Sequence, residues 1–443
     1  MNRQKFTGMK ENFLQRRYGV SLGRRYVLAA ASVVLFSVLG CSQVDSNKSA
    51  LAQSSLPQPE TPLEKKTVKT DSKILQSNNK FGFKLFSEVN KTDAGEKNVF
   101  ISPSSVAIAL AMTYNGASGS TQQAMAKTLE LQGMSLSEIN SAYAAVLKQL
   151  LENPDAKVQL KIANSLWANQ EVKFQPEFLQ RTENFYQAKV SNLNFQDPTA
   201  ISTINDWVKD NTAGKIDKIV QNIEPDQVLF LINAIYFKGN WANEFNKNQT
   251  AEQPFYIKSG RQKKHPMMSQ EGDYRYYENE QFQAVSLPYG KDGKVSFYIF
   301  LPKQNSNLKA FSQNLNVENW EKWMTQFNKQ KGFIRLPRFK TEYDVTLNNA
   351  LKVLGMEEAF SNKANFSGMG KNFAISQVKH KTFVEVNEEG TEAAAATSVG
   401  IVATSLRQEP EPFRMIVDRP FFCAIRDNQT GSVLFMGSIV EPQ

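Results

Sequence analysis

The chain has 443 residues, of which 41% are hydrophobic and 21% charged, a length that allows one large domain or two to three smaller ones. Two cysteines and two histidines exclude a disulfide scaffold and argue against a zinc site built on several histidines. The formal net charge of +9 lies mostly in residues 1–40, which hold seven basic side chains and one acid, so we expect no nucleic-acid partner for the rest of the chain.

A short apolar stretch at residues 27–39 follows the basic residues at the start of the chain. It is shorter than the roughly 20 residues that a transmembrane helix needs, and with its basic flank it predicts a signal peptide over residues 1–40. The four residues that end at Cys41 resemble a bacterial lipobox, in which the cysteine is lipidated and becomes the mature N-terminus. We therefore expect an exported protein that is lipid-anchored to the outer face of the plasma membrane, or held in the periplasm or cell envelope.

Two features of this leader have alternative explanations. An ordinary secretory signal with an incidental cysteine fits the same pattern. Arg24 and Arg25 fit a twin-arginine signal, but the basic flank of a Sec signal explains them equally well. Residues 42–73 are rich in Ser, Gln, Lys, Pro and Thr and hold too few apolar side chains to form a core, so residues 41–73 are interpreted as the lipidated cysteine and a flexible linker.

The predicted globular domain covers residues 74–443. Apolar residues at helical spacing predict a helix over 74–90, and a strand at 99–101 leads into a helix that starts at a Ser-Pro pair and ends near Asn115. A further helix starts at Ser120, whereas later apolar runs are typical of strands. The predicted strands are 158–167, 228–237, 284–289 and 295–302. Helices early in the chain and strands later favour one α+β domain over repeated βαβ units.

The sequence holds no motif of a phosphate-binding loop, an α/β-hydrolase or a zinc metalloprotease. A serine–histidine–acid triad would have to use His265 or His380. His265 lies among basic residues, which predicts a solvent-exposed loop, and His380 lies beside a predicted strand, which favours a structural role. We therefore expect no catalytic residue, no metal site and no cofactor, and predict that the chain is not an enzyme.

Residues 388–412 have an unusual pattern. Acidic residues and Gly390 precede a run of small side chains, which is followed by an apolar stretch and two prolines. Every second residue from Thr391 to Ala403 is uncharged, whereas the interleaved set carries the only charge, at Glu392. This alternation predicts a latent β-strand with one face able to enter a core. A flexible surface loop or an alanine-driven helical turn also fits the composition.

Several segments of residues 74–443 together resemble the serpin family, in order and at the family's spacing. They are residues 98–112, 228–241, 336–339, 388–397 and 418–442. The resemblance implies an α+β serpin fold with three β-sheets, eight or nine helices and an exposed reactive-centre loop. It further implies a monomeric suicide-type inhibitor, whose cleaved loop inserts into the central sheet while a serine protease, or a cysteine protease, is trapped as an acyl-enzyme. The alternatives are a non-inhibitory serpin that acts as a carrier or binding protein, and a hydrolase on the same fold.

The resemblance also implies roles for individual residues. It assigns the hinge of the loop to Glu388, Gly390, Thr391, Ala393, Ala394, Ala395 and Ala396. It assigns a polar cluster beneath the central strands, called the shutter in this family, to Ser102, Ser105, Asn233 and His380. It assigns the breach, where insertion begins, to Trp241, Arg338 and Glu388, and an ion pair is expected between the last two. A satisfied buried network is a structural role that the shutter residues can fill as well.

Counting along the hinge by the family's usual length places the reactive bond between Thr404 and Ser405. A small residue at this position favours a target protease with a small apolar pocket, of the elastase type. The stretch from Gly390 to Pro420 is longer than in the family, so two rival bonds follow within a few residues. They are Leu406–Arg407 and Arg407–Gln408, of which the second would select a trypsin-like protease.

Overall fold

The computed structural model describes residues 72–92, 96–151, 155–257, 260–371, 373–391 and 411–443. The predicted signal peptide, Cys41 and almost all of the predicted linker lie outside these ranges. Within them no helix is long and apolar enough to cross a bilayer.

Nine α-helices lie in the described ranges, in agreement with the helix number that the resemblance implies. They are α1 (Ser72–Thr92), α2 (Pro103–Tyr114), α3 (Gly119–Thr128), α4 (Leu136–Leu151), α5 (Pro176–Tyr186), α6 (Ala200–Asn211), α7 (Leu308–Gln313), α8 (Val317–Met324) and α9 (Asn348–Leu351). Helix α2 begins at Pro103 because a proline fits the first helical position, where no backbone N–H is needed. Asn307 and Asn316 begin α7 and α8, since each side chain accepts a bond from a backbone N–H of the first turn, at 2.9 and 2.8 Å.

Fifteen strands lie in the same ranges. They are β1 (Val99–Ile101), β2 (Val158–Asn169), β3 (Lys189–Leu193), β4 (Leu229–Asn240), β5 (Ala251–Tyr256), β6 (Gln262–Glu278), β7 (Phe282–Tyr289), β8 (Val295–Pro302), β9 (Asn328–Pro337), β10 (Phe339–Thr346), β11 (Gln377–Val386), β12 (Gly390–Thr391), β13 (Phe413–Ile416), β14 (Phe421–Asp427) and β15 (Val433–Ile439). The predicted strands correspond to β1, β2, β4, β7 and β8. Strands β4 and β8 are buried almost throughout, as their continuous apolar runs indicate.

Two hydrogen-bonded sheets hold these strands. The six-stranded sheet has the order β10-β11-β4-β2-β3, with β12 paired to β4. The nine-stranded sheet has the order β1-β15-β14-β8-β7-β6-β9-β13, with β5 paired to β6. The resemblance implies three sheets, whereas the described strands form two hydrogen-bonded networks. The 17-residue β6 is the link, because it pairs with β5 and β9 over most of its length and with β7 at its end.

The apolar core has two parts. The larger cluster includes α1, α2 and both sheets. The smaller cluster lies on the other face of the six-stranded sheet, where Ile204 and Val208 of α6 and Ile216 and Ile219 of the following segment pack against β2, β4 and β11. The central strands β4 and β11 are therefore covered on both faces.

The prediction that His265 lies in a solvent-exposed loop is wrong. His265 is part of β6, its side chain is buried, and Nε2 is hydrogen-bonded to the carbonyl oxygen of Arg338. The basic neighbours of His265 suggest a solvent-exposed loop in the sequence, but β6 alternates polar outward residues with buried ones, and His265 is one of the buried ones. Strands β5 and β9 pair with the two edges of β6.

Candidate functional site

The hinge segment starts a new strand at the open end of the seam between β4 and β11. These two strands pair in parallel from Phe230 and Gln377 to Tyr236 and Phe383. Beyond that ladder, β12 pairs with β4 in the antiparallel sense, and Gly390 lies opposite Asn240. Strand β2 occupies the other edge of β4 along its length, so β12 lies on the edge that β11 occupies further down. Residues that follow Thr391 therefore start at the entrance of this seam.

Thr391 is fully buried at this entrance. Its hydroxyl is 2.8 Å from the hydroxyl of Tyr289, whose pKa burial raises well above the ordinary value. The Tyr289 ring stacks on Trp241 with 4.5 Å between the ring centroids. Gly390 has φ +146°, and a Cβ there would overlap the backbone of Gly239 and Asn240. The position therefore requires glycine, both for its backbone angle and for its close approach to β4.

The breach residues and the residues that precede Gly390 hold each other in place. The indole N–H of Trp241 donates to the carbonyl oxygen of Asn387 at 2.9 Å. The expected ion pair is present, since Arg338 donates from Nη2 to Oε1 of the buried Glu388 at 2.8 Å. Thr250 donates to the same oxygen at 2.7 Å. Burial acts to raise the pKa of Glu388, but hydrogen bonds from Thr250 and Arg338 outweigh it, so that the pKa lies below its usual range.

The four predicted shutter residues lie together beneath the seam. The backbone N–H of Ser102 donates to Nε2 of His380 at 3.0 Å, so the ring proton is on Nδ1, which lies 2.6 Å from Oδ1 of Asn233. The Asn233 amide donates to Oγ of Ser105 at 2.6 Å and to Oδ1 of Asn164 at 2.5 Å. This chain of bonds crosses from β11 through β4 to β2, so the seam cannot open without breaking the bond between His380 and Asn233.

His380 is fully buried, and burial lowers its pKa to about 3. It is therefore neutral at physiological pH. The hydroxyl of Ser102 donates to the carbonyl oxygen of Leu434 at 2.6 Å, and that of Ser105 accepts from Asn233. Neither hydroxyl is bonded to the imidazole, so this arrangement is not that of a serine nucleophile and its base.

Three residues of this site were missed in the sequence. Asn164 interrupts the apolar alternation of a predicted strand, which is a usable signal for a buried polar contact. Tyr289 ends another predicted strand, but nothing local to it indicates the contact with Thr391. Thr250 lies outside every predicted element, so only the fold brings it to Glu388.

Several predicted site residues lie outside the described residues. They are Ala393, Ala394, Ala395 and Ala396 of the hinge and Thr404, Ser405, Leu406, Arg407 and Gln408 around the reactive bond. Among the residues that the structure describes, no group of three or more His, Cys, Asp or Glu side chains could hold a metal ion. Cys423 is a free, buried thiol whose pKa is raised by burial.

Comparisons with known proteins give a consistent result. A family model described as serpin (serine protease inhibitor) matches residues 76–442. The chain is 36% identical over 384 residues to the human leukocyte elastase inhibitor, covering 83% of this chain and 99% of that protein. It is 35% identical over 378 residues to an uncharacterized serpin-like protein of Thermococcus kodakarensis, covering 84% of this chain and 86% of the other.

Two solved structures show the same likeness. The structure of tengpin, a thermophilic serpin in its native state, matches with a TM-score of 0.76 and 33% identity over 87% of this chain and 96% of that one. Human thyroxine-binding globulin matches with a TM-score of 0.77 and 27% identity over 84% of this chain and 99% of that one.

Proposed function

The chain belongs to the serpin family, and from this premise we propose that it traps a serine protease, or a cysteine protease, as an acyl-enzyme by inserting its cleaved reactive-centre loop between β4 and β11. Loop insertion is an established mode of serpins. The single observation that supports it here is the position of β12. Gly390 and Thr391 are already paired with β4 at the entrance of the seam. The run of small residues that would enter the seam comes shortly after them in the sequence.

The proposed reaction uses the chemistry of the protease and a carbonyl group of this chain. The nucleophile of the protease attacks the carbonyl carbon of Thr404, the bond to Ser405 breaks, and Ser405 becomes a new N-terminus that takes up a proton. The protease remains esterified, or thioesterified, to Thr404. Insertion of the loop carries the protease along before water can hydrolyse this bond. In this proposal the chain itself turns over no substrate.

The register of β12 indicates how the loop would fill the seam. Continued along β4, it places Ala393 opposite Phe237, Ala395 opposite Ile235 and Thr397 opposite Asn233. These side chains would share the face on which Thr391 is buried, and the Thr397 hydroxyl would arrive where Asn233 loses its bond to His380. One parallel ladder between β4 and β11 would be replaced by two antiparallel ladders, which are slightly more stable per residue.

The proposed target is an elastase-like protease. Thr404 is small and follows an apolar stretch, which suits a small apolar specificity pocket. The similarity to a human protein named leukocyte elastase inhibitor supports this preference. Cleavage at Arg407–Gln408 would instead indicate a trypsin-like target.

We also propose that the inhibitor is exported as a lipoprotein and remains anchored through Cys41. Basic residues, a short apolar core and the lipobox-like end of the leader support this proposal. Mass spectrometry of the membrane-bound mature protein should find an N-terminal diacylglyceryl cysteine at position 41, and Cys41→Ser should release the protein from the membrane. An unmodified or internal N-terminus would contradict the anchor.

Inhibition is tested with a panel of serine and cysteine proteases. The full chain should form a covalent complex that resists SDS with an elastase-like protease, and the released peptide should start at Ser405. Thr391→Arg should remain cleavable but form no complex, because a guanidinium cannot enter the buried position beside Tyr289 without a large desolvation cost. Thr391→Ser is the matched control and should retain the complex. Cleavage of the wild type without any covalent product would contradict inhibition.

A cavity of about 1110 Å³ between α1, α7 and α8 favours a carrier as the second candidate function. Its lining combines apolar side chains, among them Phe83, Phe86, Leu308 and Leu315, with five basic side chains and two acidic ones, Glu88 and Glu318. Such a cavity suits an apolar ligand with an acidic group, and thyroxine-binding globulin, which has the same fold, is by its name a protein that binds thyroxine. Tight binding of a fluorescent fatty acid, together with a melting temperature that loop cleavage leaves unchanged, would favour this function over inhibition.

A further inference from the structure

The outward face of strands β9 and β13 carries an ordered group of basic side chains beside the loop. We name this group, Lys331, Phe333, Arg335 and Arg414, the β9–β13 face. Phe333 lies directly opposite Arg414 in the parallel pair. The guanidinium carbon of Arg414 is 4.4 Å from the centroid of the Phe333 ring, and that of Arg335 is 5.5 Å from it. One aromatic ring therefore orders two arginines.

Contacts on both faces of the two strands fix this arrangement. Gly332 lies beside the ring of Phe413, where a Cβ would overlap, and the Phe413 ring stacks on Tyr276 with 3.8 Å between centroids. Arg335 donates from Nε to Oγ of Ser269 at 3.1 Å. Phe333 and Arg335 are half-buried and Arg414 is exposed, so the charged groups are held in place and still reach solvent.

The charge of this surface is positive after its acids are counted. On the adjacent β6, Glu271 lies opposite Phe333 and Asp273 lies opposite Lys331. Asp273 is paired with Lys329 at 3.1 Å. Neither Arg335 nor Arg414 forms an ion pair with any carboxylate in the part of the chain that the structure describes. Arg275 also faces outward on β6, so basic side chains outnumber acidic ones on the three strands.

Both ends of the reactive-centre loop are connected to this region. Strand β13 begins at Phe413, so Arg414 lies ten positions after Thr404 in the chain. At the other end, Gln270 of β6 donates to the carbonyl oxygen of Glu244 at 2.7 Å, and the backbone N–H of nearby Phe245 donates to the carbonyl oxygen of Glu388. A protease that binds the loop must therefore come close to the strands that carry the β9–β13 face.

We propose that the β9–β13 face is a secondary docking surface for the target protease, and that it selects proteases with an acidic surface beside the active-site cleft. The inference rests on the proposed function. Ordered arginines next to an aromatic ring are typical of contact surfaces between proteins. Exposed charges at the edge of an interface act mainly on the association rate, by steering an oppositely charged partner.

The test is the second-order rate constant of complex formation with a protease that the wild type inhibits, measured at 50 and 200 mM NaCl. The wild-type rate should fall several-fold between these salt concentrations. Arg335→Ala/Arg414→Ala should reduce the rate about five- to tenfold at low salt and remove most of the salt dependence. Arg335→Lys/Arg414→Lys should restore most of the rate, because it keeps the charge.

The matched control removes the same charge from helices α3 and α8, as Lys127→Ala/Lys322→Ala, and should leave the rate unchanged. The number of inhibitor molecules consumed per protease should not change in any variant, because the reactive bond and the hinge are intact. An equal effect of control and test variants, or a salt-independent wild-type rate, would overturn the docking surface alone. If the wild type forms no covalent complex with any protease, both the proposed function and the docking surface fail.

Other occupants of this surface give different results. If the double arginine variant loses binding to polyphosphate while its rate with the protease is unchanged, the face binds an anionic polymer and the proposal is wrong.

Discussion

The side chain of His380 is fully buried, and both of its ring nitrogens are hydrogen-bonded, to Ser102 and to Asn233. Each bond ends on a different structural unit, the start of α2 and strand β4. A protonated ring would lose the acceptor that the N–H of Ser102 requires and would carry a charge in an apolar interior. One neutral side chain therefore helps to keep the seam closed in the native state.

This arrangement predicts an acid sensitivity with a defined sign. The pKa of His380 is lowered to about 3 in the folded chain, against about 6.5 in an unfolded chain. Below pH 6.5 the unfolded state binds a proton that the native state does not, so the free energy of unfolding should fall by about 1.4 kcal/mol per pH unit as the pH decreases towards the folded-state value. Urea unfolding between pH 7.5 and 4.5 measures this slope.

The same prediction can be checked at the ring itself. In a His265→Gln variant His380 is the only histidine, and its NMR signals should not titrate between pH 8 and 4. A midpoint near pH 6.5 would show that the imidazole is exposed to solvent and would contradict the closed shutter.

At the scale of elements, the decisive feature is the two-residue strand β12. Glu388 and the breach hold its start, and its last described residue, Thr391, contacts Tyr289. The alternation from Thr391 onward predicts a strand, but its pairing with β4 could not be predicted, because two residues have no local signal and their partner lies about 150 positions earlier in the chain. Strands β5, β6 and β9 were missed because polar residues dominate their first halves, whereas β10 alternates buried and exposed side chains and could have been predicted.

The start of a helix could be predicted where a local sequence signal marks it. The start of α2 after Ser102 was predicted from the Ser-Pro pair and is observed. The site itself was predicted only through the resemblance. No local sequence feature of Asn233 or His380 indicates that these two residues contact each other.

The close packing of β12 against β4 predicts that Gly390→Ala impairs loop insertion. The new Cβ would overlap the backbone of β4, so the variant should lose the contact between Thr391 and Tyr289 and insert its loop more slowly. Titration of the target protease should show several-fold more inhibitor consumed per protease trapped. Gly133→Ala is the matched control, because Gly133 also has a positive φ, +76°, but no atom near its Cβ position. Equal values for the two variants would contradict the role of β12.

At the scale of the whole molecule, the net charge has a different meaning once the leader is separated from the rest of the chain. Most of the +9 net charge belongs to the leader, and the positive charge that bears on the proposed function is the local group on β9 and β13. The described part of the domain holds its central sheet between two cores, with α6 and its following segment on one face and α2 on the other. A sheet covered on both faces gains from an additional strand, provided that the entering side chains are small.

The central claim is that the cleaved loop becomes a strand between β4 and β11, and the most direct test is the melting temperature before and after cleavage of the loop by a protease that does not form a complex. Two antiparallel ladders in place of one parallel ladder should raise the melting temperature by tens of degrees, and Thr391→Arg should show a much smaller rise. A wild-type melting temperature that cleavage leaves unchanged, or lowers, would contradict insertion and with it the proposed mechanism.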